Sequence, residues 1–164
     1  MISAQPPQVV FAFLTIRSTP DGGLRGGYLL TTQHGRPIEF HYTSEMRLRG
    51  PQRLLFGERI DEFVEVDLMA MPLIERQTST PTIVVVDRVQ LLELRTRIPA
   101  PVVCLQPSDF EDAKWNALVH STQPDDDAEF RSVVALAPPN FDWLEPFDRL
   151  AAALGEIKET RLVA

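Results

Sequence analysis

The residues able to do chemistry are few and scattered along the chain. Asp87 closes an all-β-branched run, Thr82-Ile83-Val84-Val85-Val86. A carboxylate at such a strand end can ligate a divalent metal or cap the helix that follows. Cys104 sits near the end of another apolar run, positions 101–105. A cysteine beside a base can act as a nucleophile. His34, His41 and His120 show no local signature linking them to it, so Cys104 reads as a small buried hydrophobe. The histidines also lack the paired spacing of a zinc site, and neither metal nor cofactor is expected. Gly22-Gly23 and Gly26-Gly27 lie in a strand-turn-strand context with no following lysine-serine or lysine-threonine pair, unlike a phosphate loop.

The segment Arg47-Leu48-Arg49-Gly50-Pro51-Gln52-Arg53 is the strongest binding candidate. It sets three arginines at the start of a helix, beside backbone N–H groups with no partner inside that helix. Guanidinium groups recognise carboxylates and phosphates through two parallel hydrogen bonds. Arg47, Arg49 and Arg53 are therefore expected to read an anion, here a partner protein's carboxylates or a phosphate-bearing ligand.

Those residues need a scaffold. Positions 9–16 form an apolar, partly β-branched run that predicts a buried strand. Thr19-Pro20-Asp21-Gly22-Gly23 has turn chemistry, positions 24–32 predict the return strand, and Gln33-His34-Gly35-Arg36 is a second turn. Positions 37–43 alternate, with Ile38, Phe40 and Tyr42 on one face and Glu39, His41 and Thr43 on the other, as in a half-exposed strand. Together these predict an antiparallel meander. A long helix is expected from Pro51 to about Met71, where Pro72 stops or kinks it. At 100° per residue, Phe56, Ile60, Phe63, Val64, Leu68 and Met71 share a buried face, and Glu58, Asp61, Glu62 and Glu65 face water.

The remainder reads as a strand at 82–86, a helix at 89–98 and a strand at 101–105. That order implies a parallel, right-handed crossover. Ser108 with Glu111 resembles a capping box, predicting a helix at 109–120. Positions 121–127 then form an acidic loop, 130–136 a strand, and a last helix starts between Asp142 and Pro146. Its stripe is Leu144, Phe147, Leu150, Ala151, Leu154 and Ile157.

The expected fold class is thus α/β: a single mixed sheet with a three-strand meander, a long helix, then a parallel strand-helix-strand unit. The 164 residues suit one domain, 1–164, with 122–164 extending the same core. A net charge of −7 disfavours nucleic acid as the general partner, because phosphate binding needs a positive field. One cysteine and no long apolar run point to a cytoplasmic chain outside the membrane.

The element order over positions 9–105 resembles the ribonuclease H-like superfamily. Roadblock- or longin-like domains, with a central meander and packing helices, are the alternative. The first resemblance implies three metal-binding acids, on the first strand, on the first helix and near the end of the fourth strand. Asp87 matches the last. The first strand carries no acid, and the helix acids are expected to face water. Separately, Gly26-Gly27-Tyr28-Leu29-Leu30 through Arg36-Pro37-Ile38-Glu39-Phe40-His41 looks similar to a bacterial family of unknown function. The functional expectation is a non-enzymatic domain that binds another protein; the alternative is a nucleic-acid-processing enzyme with a degenerate site near Asp87.

Overall fold

The computed structural model describes residues 8–48, 50–110 and 114–158, without the side chains of Phe56 and Glu58. The expectations for Arg49, Phe56 and Glu58 fall outside what is described. One six-stranded sheet organises the chain, in the order β3-β2-β1-β4-β5-β6. β1 (Val10–Ser18), β2 (Leu24–Thr32) and β3 (Pro37–Tyr42) form the antiparallel meander. β4 (Ile83–Val86) pairs parallel with β1, and β5 (Val102–Pro107) parallel with β4. The sheet thus has a meander in one half and parallel pairs in the other. This arrangement is consistent with the ribonuclease H-like class and unlike a domain built around a central meander.

Each face of the sheet carries its own core. Ala12, Leu14 and Ile16 of β1 pack with Val84 and Val86 under the helical run that follows the meander. Phe11 and Phe13 point the other way, with Val85, Phe130, Trp143 and Phe147. Alternate residues of a strand face opposite sides, so a strand covered on both faces must be apolar throughout. Both helix layers also come very close to β2 at Gly26 and Gly27. A Cβ on Gly26 would lie 3.0 Å from Leu73 Cδ1, and one on Gly27 would lie 3.1 Å from Leu154 Cδ1.

The expected long helix is a broken helical run. It comprises α1 (Gly50–Phe56), a 3-10 turn (Gly57–Arg59), α2 (Ile60–Glu62), a π segment (Phe63–Ala70) and α3 (Met71–Glu75). Pro72 does not end it, because it stands in the first turn of α3, where a missing N–H costs little. The π segment overturns two face assignments: Glu65, expected in water, is 2% exposed, and Leu68, expected on the buried face, is 37% exposed. An i→i+5 turn holds more than 3.6 residues, so the 100° step behind those assignments fails from Phe63 onward. Phe63 itself is only partly buried, while Val64 is 1% exposed.

The strand-helix-strand unit holds, with a 3-10 helix at Val89–Thr96. Two other expectations fail. The predicted helix at 109–120 contains β6 (Trp115–Val119), antiparallel to β5. Ser108 Oγ accepts from Phe110 N at 3.1 Å, a local turn, while Glu111, the other half of the expected capping box, lies outside the described residues. The predicted strand at 130–136 belongs to α4 (Asp126–Val134), which the acidic loop was assumed to precede. Asp126, Asp127 and Glu129 lie in its first turn, where negative charge meets the helix dipole favourably. Asp126 is also buried, not a surface acid; it accepts from Arg95 Nε at 2.8 Å. The last helix, α5 (Glu145–Glu156), buries Phe147, Leu150 and Leu154 as its stripe predicts. Among the described residues no helix is long and apolar enough to cross a membrane.

Candidate functional site

Beyond the C-terminal end of β4, between β1 and β5, the fold gathers several of the chain's buried polar groups. Asp87 follows β4 directly. Its Oδ2 accepts from the Thr15 hydroxyl at 2.9 Å and from Arg17 Nη2 at 3.0 Å, both on β1. Arg17 Nε also donates to Thr15 Oγ1 at 3.0 Å, so the three side chains form a closed triangle. Thr15 is fully buried and Asp87 largely so. Burial pushes the Asp87 carboxyl above its ordinary range, and the Thr15 hydroxyl and Arg17 oppose that rise.

Glu65 reaches the same region from the π segment. Its Oε1 pairs with Arg88 Nη2 at 2.5 Å. Burial raises the Glu65 carboxyl, Arg88 opposes the rise, and the charges of Asp61 and Asp87 add to it. Glu65 Oε2, Asp87 Oδ1 and Arg88 Nε are buried and have no hydrogen-bond partner. Cys104 on β5 completes the neighbourhood. Burial, then the negative charge of Asp87, pushes its thiol up to about 11. A thiol at that value is almost wholly protonated near neutral pH and is a poor nucleophile.

Asp87 is therefore close enough for its charge to raise the Glu65 carboxyl. Sequence reasoning placed Asp87 correctly and sent Glu65 to the wrong face. The missed signal is Glu65 lying between Val64 and Val66, both fully inside. β1 itself carries no acid. On the face that carries Glu65, β1 offers Ala12, Leu14 and Ile16. Thr15 and Arg17 occupy the alternate positions and bring a hydroxyl and a cation to Asp87. No cluster of three or more His, Cys, Asp or Glu residues able to hold a metal occurs among the described residues. A divalent ion needs several oxygen ligands, and a guanidinium 3.0 Å from the carboxylate competes with it directly. These residues do not fit a metal centre.

The arginine segment takes a different form from a bare cationic patch. Arg47 lies between Asp21, at 3.5 Å, and Glu45, at 3.2 Å. Arg53 is exposed on α1, beside Leu54 and Leu55, each 85% exposed. His41 pairs with Glu39 and His120 with Glu93, so each histidine serves a local contact.

No known family matches this chain, and no curated protein matches it. Among solved structures it is similar to Ciona intestinalis endonuclease V, solved in complex with a 23mer DNA containing an inosine followed by a ribo-adenosine. The identity is 10% and the TM-score 0.40, over 82% of this chain and 59% of that one. The chain thus spans less than two thirds of that endonuclease, and a likeness of this degree says nothing of its activity.

Proposed function

We propose that this chain is a non-enzymatic, cytoplasmic domain that binds another protein. The observation that carries the reading is the Thr15–Arg17–Asp87 triangle. It places a cation and a hydroxyl where metal-assisted phosphoryl transfer needs a further anionic ligand. What remains is a set of exposed features suited to a partner. On α1, Arg53 stands beside two leucines in water, and apolar side chains exposed together commonly mark interaction sites. Arg53, exposed on α1, supplies local positive charge in a chain of net −7, which favours an acidic partner, while Arg47 already meets Asp21 and Glu45.

The rival reading, a nucleic-acid-processing enzyme with a degenerate site, draws on Glu65 being buried and near enough to Asp87 for that charge to raise its carboxyl. One experiment separates the two. The protein is incubated with RNA, single-stranded DNA and duplex DNA in magnesium or manganese, alongside Asp87→Asn. The expected result is no cleavage by either. Cleavage by the natural chain that disappears in Asp87→Asn would establish the enzyme. For the partner reading, Arg47, Arg49 and Arg53 are replaced together by glutamine. Affinity for a partner purified with the natural chain should fall while the melting curve stays the same.

A further inference from the structure

We propose that the groove beside β6 takes an extended, acidic and apolar segment of a partner protein as a seventh strand of the sheet. The inference deepens the protein-binding reading and rests on it. β6 ends the sheet order, so one side of its backbone has no strand partner among the described residues. An open edge is a ready template for another chain, which pairs through main-chain hydrogen bonds and gains specificity from alternate side chains. The five residues of β6 offer about 17 Å of edge at roughly 3.3 Å per residue.

A trough of about 1040 Å³ is lined by β6, by Gln106 of β5, and by α4 with the segment that follows it. Trp115, Pro138, Phe141 and Trp143 give it apolar and aromatic walls. The Trp143 ring packs edge-on against Phe141 at 4.8 Å and against Phe130 at 5.2 Å, and Trp115 meets Phe130 at 5.3 Å. The walls are therefore rigid. Trp115, Ala117 and Val119 face the core on this side of β6, so an added strand would extend the same surface and send every second side chain over the aromatic walls.

Charge selects the occupant. Among the described residues, Lys114 and Arg131 are the charged ones lining the trough, and no described carboxylate lines it. Arg131 contacts Asp127 across one helical turn while remaining 72% exposed, and among the described residues no carboxylate pairs with Lys114. A local cationic rim on a chain of net −7 fits a segment carrying carboxylates between apolar residues. A basic segment would meet repulsion from both side chains.

The test uses the full chain and a short synthetic peptide alternating glutamate and leucine, long enough to lie along β6. Trp115 and Trp143 are the chain's two tryptophans and both line the trough, so intrinsic fluorescence reports occupancy without a label. The expected result is a saturable emission change that weakens as salt rises. The double variant Lys114→Glu with Arg131→Glu should bind at least about tenfold more weakly with an unchanged melting curve. The same peptide N-methylated at alternate residues, which removes main-chain donors, should also lose binding. The proposal is overturned by no binding up to about 1 mM, or by equal binding of a lysine–leucine peptide or of the N-methylated one. Tighter binding of single-stranded DNA than of the peptide also overturns it. Peptide failure without nuclease activity removes the groove and leaves the protein-binding reading. Metal-dependent cleavage with intact peptide binding removes the reading and leaves the groove.

Discussion

Arg17 Nη2 lies 3.0 Å from Asp87 Oδ2, joining the end of β1 to the residue that follows β4, 70 positions later in the chain. The pair bridges two parallel neighbours of the sheet, with Asp87 mostly shielded and Arg17 half in water. Removing the guanidinium leaves a largely buried carboxylate with the Thr15 hydroxyl alone. Arg17→Ala should therefore cost about 1–2 kcal/mol near neutral pH, between the values of exposed and buried ion pairs. Urea unfolding measures it. A loss too small to detect would mean that the triangle does not hold the strand ends together.

Glu65 and Glu62 test the π segment. Glu62 faces water, so Glu62→Ala should leave the melting curve unchanged. Glu65→Ala removes the buried partner of Arg88 and should destabilise by about 1–3 kcal/mol, the cost of leaving a charged group without its partner. Equal effects at the two positions would contradict the inward placement of Glu65.

Cys104 should behave as an inert thiol. It is fully buried, and burial with the charge of Asp87 pushes the thiol up to about 11. Maleimide at neutral pH should label the folded protein far more slowly than the same protein in urea. Rapid labelling without denaturant would show that β5 is open to solvent at this point.

The pH dependence should have two limbs of opposite sign. Burial alone would raise the Glu39 carboxyl, but hydrogen bonds from His41, Thr78 and Ser79 outweigh it and hold it at about 2, below its ordinary 4.5. The unfolded chain takes up that proton first as pH falls. The stability Glu39 contributes is complete above about 4.5 and disappears as pH drops toward about 2. Asp87 and Glu65 are raised, so the folded chain keeps their protons longer. Their effect is a loss of stability as pH rises above the ordinary carboxylate range. Denaturant midpoints across acidic and neutral pH should rise and then fall. Glu39→Gln should flatten the acidic limb alone, and Glu65→Gln should reduce the upper one.

The sequence by itself determined the meander, the parallel unit and the stripe of α5. Those elements declare themselves locally. A strand buried on both faces must be continuously apolar, as Val10 to Leu14 is; the turn at Asp21-Gly22 uses residues that suit few other conformations; and an α-helix keeps the 3.6 period that Phe147, Leu150 and Leu154 display. Asp87 was also legible, as the carboxylate bounding an apolar strand. The position of Glu65 was decided only by the tertiary structure. Its burial depends on a π turn, whose wider period no charge pattern announces, and on Arg88, which arrives from beyond β4 to pair with it. β6 was hidden for a related reason. Trp115, Ala117 and Val119 alternate over just five residues, too few to outweigh a helix signal at Ser108, and they become a strand because β5 offers them an edge. The trough exists only once α4 and the segment after it pack across that strand, bringing Lys114, Arg131, Phe141 and Trp143 together from separate parts of the sequence.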